Sequence, residues 1–226
     1  MIRSLKSRLK RLVRYSGPGT ISKQYLLDIV PKNSIIVEAG AHIGSDTMEL
    51  SQILPNSQIH AFEPVPSVYE KLVRNTKHCR NVTCYPLALG EQSGRAKIFV
   101  SSGRSDASSS LLPPKQHLED HPDVFFQTEI EIQTITLNDW MTQYQLPRVD
   151  LLWLDMQGYE LAALKSGWKA LATASAIYTE VNLVETYAGA PLYSQVREWL
   201  ADQGFEVRRE ELPWHDAGNV LFVRRS

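Results

Sequence analysis

Ile35-Ile36-Val37-Glu38-Ala39-Gly40-Ala41-His42-Ile43-Gly44 is an apolar run that ends in an acid and breaks into glycines, with Ser45, Asp46 and Thr47 following as helix-starting residues. The pattern predicts a β-strand, a tight turn and a helix N-terminus. Gly40 can take backbone angles closed to residues with a side chain, so the main chain approaches whatever lies over the strand end. The next helix points unpaired N–H groups at the same place. The stretch therefore reads as half of a nucleotide or nucleoside site. A dinucleotide fingerprint G-x-G-x-x-G counted from Gly40 would need glycines at His42 and Ser45. A pyrophosphate would find no close approach there.

The alternation continues on both sides of this turn. Residues 46–54 read as a helix ended by Pro55-Asn56, residues 59–62 as a second strand closing on Glu63-Pro64-Val65-Pro66, residues 67–77 as a helix capped by Ser67, and residues 82–89 as a third strand. Upstream, residues 22–30 read as a lead-in helix. Downstream, residues 150–155 form a fourth apolar strand ending in Asp155, Met156-Gln157-Gly158 a turn, and residues 159–171 a helix with Leu161, Leu164, Trp168 and Leu171 inward. Residues 175–181 are a fifth strand, residues 193–203 a helix, and residues 205–209 and 219–224 the last two strands. The connection between those two, residues 210–218, has no room for a helix and predicts an antiparallel hairpin at one sheet edge. Strands alternating with helices argue for a parallel sheet with helices on both faces.

The middle of the chain differs. Residues 95–100 and 129–136 read as strands, the second alternating cleanly, and Thr136 opens a short helix. Between those strands lie residues 101–127, with Ser108-Ser109-Ser110 and Pro113-Pro114. A structureless stretch of that length is expected to be a substrate-facing lid rather than a disordered loop. His117 and His121 have a spacing that would fit a metal on a helix, but two histidines in a polar loop are more often solvated, and no metal is expected.

Composition bounds the reading further. A chain of 226 residues, 43% hydrophobic and 22% charged, suits a globular fold with one sizeable core. The net charge of −1 conceals an asymmetry, because Arg3, Lys6, Arg8, Lys10, Arg11 and Arg14 fall in the first sixteen residues with no acid among them. That leaves 18 basic against 25 acidic side chains in the rest, so nucleic acid is not expected as a partner of the body. Ile2, Leu5, Leu9, Leu12 and Val13 stand at helical spacing among those basic residues. Residues 1–16 would therefore either meet an anionic membrane surface or dock their apolar stripe on the domain or a partner subunit, the commoner fate of so short a stripe. Cys79 and Cys84 are too few for a disulfide framework, no run of eighteen apolar residues exists, and no signal-peptide core is present, so a cytoplasmic location is expected. Oligomeric state has no signal in the sequence.

Glu63 ends the second strand some twenty residues after Gly40, where open α/β sheets place a carboxylate on ribose hydroxyls. A carboxylate accepts from both hydroxyls of a diol, which suits the task. Glu38 is similarly placed and would meet a ligand's ammonium group.

Taken in order, several motifs resemble the FkbM-type S-adenosylmethionine-dependent methyltransferases. They are Val37–Gly44 in the opening turn, Phe62-Glu63-Pro64, Pro86-Leu87-Ala88-Leu89-Gly90, Ser108-Ser109-Ser110-Leu111, Thr136-Leu137-Asn138-Asp139-Trp140, and Val149–Glu160 with its Asp155-Met156-Gln157-Gly158-Tyr159-Glu160 ending. The resemblance runs from about residue 35 to residue 224. It implies an α/β class I methyltransferase fold, a Rossmann-like three-layer sandwich whose seven-stranded, mostly parallel sheet has an antiparallel last strand. Residues 1–33 would form the basic helix and lead-in helix, and residues 34–226 the methyltransferase domain with an inserted hairpin or lid over about 94–136.

The resemblance also implies S-adenosylmethionine as cofactor and a small-molecule acceptor, usually methylated at a hydroxyl oxygen of a sugar, natural product or lipid-like molecule. Glu38, Ala39, Gly40, His42, Gly44 and Asp46 would lie along the methionine part, Glu63 and Pro64 at the ribose, and Ala88 or Leu89 near the adenine. Asp155 would sit close to the transferred methyl group. Asp155 is the first candidate base and Glu180 the second, with His42 and His215 behind them; His42 is expected to touch the cofactor through its backbone. Ser109, Ser110, Gln157, Tyr187 and His215 are candidate acceptor contacts, and Tyr193 and Trp214 have rings suited to stacking on an acceptor. One position departs from the family, which commonly has an acid where this chain has Gln157. Two readings stand beside this one: a nicotinamide-dependent oxidoreductase, which shares the sheet and ribose acid, and a non-catalytic cofactor-binding module.

Overall fold

A computed structural model describes residues 19–225. The basic helix expected over residues 2–14, and the membrane contact expected of residues 1–16, lie outside the described residues.

Seven strands form the main sheet: β1 (Ile35–Ala39), β2 (Gln58–Phe62), β3 (Val82–Tyr85), β7 (Leu151–Leu154), β8 (Ala176–Asn182), β9 (Phe205–Glu211) and β10 (Ala217–Arg224), in the order β3-β2-β1-β7-β8-β10-β9. β1 pairs in parallel with both β2 and β7, while β10 runs antiparallel to β8 and β9. The expected seven-stranded sheet with an antiparallel last strand is thus observed. Its central strands are apolar at nearly every position because both faces are covered.

Successive side chains point to opposite faces, so one strand serves two cores. Val37, Leu152, Leu154, Ile177 and Phe222 face the helices Leu137–Gln143, Glu160–Lys165, Trp168–Thr173 and Tyr193–Asp202, around the fully buried Trp140. Ile36, Leu151, Trp153, Tyr178 and Leu221 face the other way, onto Leu50 of the helix Ser45–Ile53, its C-cap Leu54, and Leu26. On that second face the rings of Trp153 and Tyr178 stack at 3.6 Å, and the Lys23 ammonium lies 4.8 Å from the Trp153 ring centroid. Lys23 also bonds Asp46 at 2.6 Å and Glu49 at 2.7 Å, tying the lead-in segment to the helix after β1.

A second, three-stranded sheet stands beside the first, with β4 (Ala88–Leu89), β6 (Val124–Ile135) and β5 (Gly94–Gly103) in that order. It corrects two expectations. The strand expected over residues 82–89 divides at Pro86, which has no N–H to continue a ladder, so Ala88 and Leu89 leave β3 and pair with Thr134 and Ile135. The stretch 101–127 is not structureless: β5 continues to Gly103, β6 begins at Val124, and a short helix spans His117–Asp120.

Three helices also differ from the pattern. The lead-in helix is a 3-10 helix over Lys23–Asp28, and the second is Pro66–Thr76 with Val65 rather than Ser67 at its N-cap. The helix expected over 159–171 breaks at Ser166-Gly167, where a Cβ on Gly167 would come within 2.6 Å of Leu137. The break turns Trp168 outward to 65% exposure instead of onto the inner face. Among the described residues no helix is long and apolar enough to cross a membrane.

Candidate active site

The C-terminal ends of β1, β2 and β7 open on one cleft of about 200 Å³. The turn after β1 is held against its neighbours by Gly40 N and Ala41 N, which both donate to the Phe62 carbonyl at 3.1 and 2.9 Å. Gly40 has φ +79°, and a Cβ there would fall 1.7 Å from the Asp155 carbonyl oxygen, so no other residue fits between the two strand ends. His42 also takes a left-handed φ of +49°, as does Gln157 on the facing turn at +54°.

Three acids mark the three strand ends. Glu38 is only 2% exposed, and its Oε2 has no hydrogen-bond partner among the described residues. Burial first, then the charge of Asp46, push its carboxyl up to about 8. Glu63 is buried too; its Oε2 accepts the His42 N–H at 3.0 Å and its Oε1 the Val65 N–H at 2.9 Å. Burial pushes it up to about 7, with those two backbone donors opposing. Glu63 is therefore not the solvated strand-end acid that a surface position would give. It ties β2 to the turn and keeps lone pairs for a ligand.

Asp155 belongs to a cluster. Its carboxylate, that of Glu160 and that of Glu180 present oxygens within 4.8 Å of one another. The Gln157 amide nitrogen donates to Asp155 Oδ1 and to Glu180 Oε2, both at 2.8 Å. Glu160 Oε1 accepts the N–H groups of Met156 at 2.6 Å and Gly158 at 3.3 Å, shaping the turn from beneath. Burial raises Asp155, with the Gln157 donor opposing, and raises Glu180 further, because Asp155 and Glu160 face it. The two carboxyls therefore titrate as a pair. Glu160 is pushed up to about 7 by burial.

Most residues expected from the sequence meet here. Glu38, Ala39, Gly40, His42, Asp46, Glu63, Pro64, Ala88, Leu89, Ser109, Asp155 and Gln157 all line the cleft. Gly44 does not line it; it is the left-handed N-cap of the helix Ser45–Ile53, packed on Leu72 and Thr76. Ser110 lies behind the wall, its hydroxyl donating to the Gln157 carbonyl at 2.8 Å, and Glu180 touches the cleft residues through the Gln157 amide. Tyr187 is buried rather than available for stacking; its hydroxyl sits 2.8 Å from the Ser108 carbonyl and 3.0 Å from Gln157 Oε1. His215 lies outside the cleft, its side chain 72% exposed beside Asp120 and Asp216. Trp214 covers Gly19, and the Tyr193 hydroxyl bonds Glu210. His117 is not solvated either: 4% exposed, it packs its ring on Phe126 and Tyr187, while His121 pairs with Asp216 at 3.3 Å.

Two participants escaped the sequence. Asp106, in the strap between β5 and β6, reaches across the mouth to bond His42 Nε2 and Lys71 Nζ, both at 2.8 Å. The Lys71 hydrogen bond first, and the contact with the His42 ring after it, hold its carboxyl below the usual range. A lone Asp in a Ser/Gly-rich stretch has no periodic signal. Glu160 stood in the last motif, yet its position in a helix's first turn reads equally well as a surface acid near the macrodipole.

A family model described as the methyltransferase FkbM domain matches residues 38–207. The 2-O-methyltransferase NoeI of Sinorhizobium fredii is 30% identical over 195 residues, spanning 82% of this chain and 80% of that protein. The hexuronic acid methyltransferase AglP of Haloferax volcanii is 21% identical over 193 residues, spanning 82% and 74%. Among solved structures, methyltransferase FkbM from Methylobacillus flagellatus superposes with a TM-score of 0.55 at 14% identity, over 85% of this chain and 44% of that one. Fibrillarin from Aeropyrum pernix superposes with a TM-score of 0.51 at 15% identity, over 91% of this chain and 71% of that one. At such identities the structures share the fold.

Proposed function

The chain belongs to the FkbM methyltransferase family, and from that premise we propose that it transfers a methyl group from S-adenosylmethionine to a hydroxyl oxygen of a sugar-containing small molecule. The observation that carries this reading is the meeting of Glu38, Glu63 and Asp155 at three adjacent strand ends around one cleft. Family membership sets aside the nicotinamide-dependent alternative, in keeping with His42 and Ser45 where a pyrophosphate would need glycine.

The residues present fit the cofactor. Glu38 has a buried, unpartnered oxygen suited to an ammonium group, and Glu63 has lone pairs left for a ribose diol. Ala88, Leu89 and Ile98 give the cleft an apolar wall for a planar base. When bound, S-adenosylmethionine supplies a methyl carbon already activated by its sulfonium. The chain's task is then to hold the acceptor oxygen in line, exclude water and remove a proton. Asp155 is the base, its proton affinity raised by burial, and it receives the proton that the acceptor hydroxyl releases. The sugar acceptor rests on the relatives, one named a 2-O-methyltransferase and one a hexuronic acid methyltransferase. Free thiols at Cys79 and Cys84 accord with a reducing, cytoplasmic setting.

Calorimetric titration with S-adenosylmethionine, followed by label transfer to a panel of glycans, glycolipids and free sugars, tests the whole reading. The expected outcome is saturable binding and label on a sugar hydroxyl; label only on nitrogen or carbon acceptors would overturn the acceptor class. Asp155→Asn should cut turnover by about 100-fold or more while cofactor affinity stays within about threefold. Equal losses in both would remove Asp155 as the base. Glu63→Ala should weaken the cofactor by about tenfold or more, as loss of a charged hydrogen-bonding partner does. Unchanged affinity would sink its ribose role.

A further inference from the structure

The side chain of Gln157 lies between two carboxylates. Its amide spends one hydrogen on Asp155 Oδ1 and the other on Glu180 Oε2, at 2.8 Å each. The carbonyl end of the same amide lies 3.0 Å from the Tyr187 hydroxyl, a group that is itself buried and anchored on the Ser108 carbonyl. The backbone is pinned as well: Gln157 holds a φ of +54°, and its carbonyl accepts from the Ser110 hydroxyl at 2.8 Å. Tyr187 has a single hydrogen to share between that oxygen and the Ser108 carbonyl, so the two carboxylates, which a flipped amide would face with its oxygen, select the orientation. Two strands and the strap between β5 and β6 thus converge on one neutral side chain.

We propose that Gln157 is the positioning residue of the methyl-transfer site: with Tyr187 against its carbonyl end, its amide clamps Asp155 to Glu180, aims the other oxygen of Asp155 at the acceptor hydroxyl, and fills the place a divalent cation would otherwise take in this acidic cluster. The inference rests on Asp155 as the base. An acid at position 157 would turn two donors into two more acceptors. With Glu160 it would make a four-carboxylate nest, a coordination set suited to hard divalent cations. The amide instead satisfies both carboxylates without adding charge. Asp155 is faced by Glu180 from β8, Glu160 from the following helix, Asp46 from the helix Ser45–Ile53, Glu38 from β1, His42 from the turn, and the phenols of Tyr178 and Tyr187. In that mostly acidic surround the neutral donor opposes the upward pull of burial on Asp155.

The test compares single-turnover rates across pH for the native protein, Gln157→Glu, Tyr187→Phe and Asp155→Asn, with calorimetric cofactor affinity as the check on folding. Gln157→Glu should lower the rate at pH 7 by about 30-fold, move the acidic limb of the profile up by about one pH unit or more, and leave cofactor affinity within about threefold. Magnesium or manganese should restore part of that rate, while the native protein ignores both ions and chelator. Tyr187→Phe should move the same limb in the same direction by less. A limb present in the native protein and lost in Asp155→Asn, yet unmoved in Gln157→Glu, would overturn the positioning role alone. A native limb surviving in Asp155→Asn would mean that the base lies elsewhere, and the proposal would fall with that reading.

Discussion

Glu38 shows how one side chain trades stability for binding. Buried at the end of β1 with an unpartnered oxygen, it is costly to ionise, because burial strips its water and the Asp46 charge opposes its own. A cofactor ammonium would supply the missing partner. Glu38→Gln keeps the shape and removes the charge, so the cofactor-free protein should gain thermal stability at pH 8 while cofactor affinity falls by about 10- to 100-fold, the range of a charge-assisted hydrogen bond. Differential scanning calorimetry and titration on the same preparation check both halves; a variant that loses stability at pH 8, or binds as well as the native chain, would contradict this role. The acids that the sequence made readable share one property. Glu38, Glu63 and Asp155 each end or follow an apolar run, so strand and acid announce each other. Asp106 and Glu160 do not: the first acts through a fold-back of the strap onto His42 and Lys71, and the second through main-chain N–H groups of the preceding turn. Neither relation leaves a spacing in the sequence.

Elements are readable where one face meets a core and hidden where neither does. β1, β7 and β8 are buried at nearly every position and open on apolar runs, so they stand out as buried strands. β6 pairs with β5 for most of its length, but its first half is largely exposed on both faces, so only the part from residue 129 onward alternates in sequence. The distal end of the hairpin, residues 101–103 and 124–128, carries no such pattern and so reads as loop. The helix break at Ser166-Gly167 is hidden for another reason: Leu161, Leu164, Trp168 and Leu171 keep a helical spacing although the axis changes between them. The strap carried by β5 and β6 makes a kinetic prediction. Its latch on the cofactor turn, Asp106 with His42 and Lys71, is a surface ion-pair set, and such pairs are worth about 0–1 kcal/mol. Asp106→Ala should therefore leave the melting temperature within about 3 °C of native and raise the cofactor dissociation rate several-fold, measured by stopped-flow displacement. An unchanged dissociation rate would mean that the strap does not cover the bound cofactor.

Across the whole molecule, the acids around the cleft set how stability depends on pH. Burial pushes Glu38 up to about 8 and Glu63 and Glu160 up to about 7, and it raises Asp155 and Glu180 as well. Each of these groups binds its proton more tightly in the folded chain than in the unfolded one. Between their unfolded values near 4.5 and their folded ones the native state therefore holds more protons, and stability falls as pH rises through that window. His60 and His117 act oppositely: burial lowers both, His60 to about 4, so they favour unfolding as pH drops below 6.5. Two imidazoles against five carboxyl groups leave the acids dominant above pH 5. Three carboxyls whose folded values lie only about one pH unit above 5.5 already lose about 4 kcal/mol between pH 5.5 and 8, which for a chain of this size is about 8–16 °C in melting temperature. The cofactor-free protein should thus melt several degrees lower at pH 8 than at pH 5.5. Saturating S-adenosylmethionine should protect more at pH 8 than at pH 5.5, because its cations favour the ionised acids. S-adenosylhomocysteine, which keeps the ammonium and lacks the sulfonium charge, should protect less than S-adenosylmethionine at pH 8. A melting temperature flat from pH 5.5 to 8 would show that these carboxyls titrate as if exposed, and equal protection by both ligands would remove the sulfonium from contact with the Asp155 cluster.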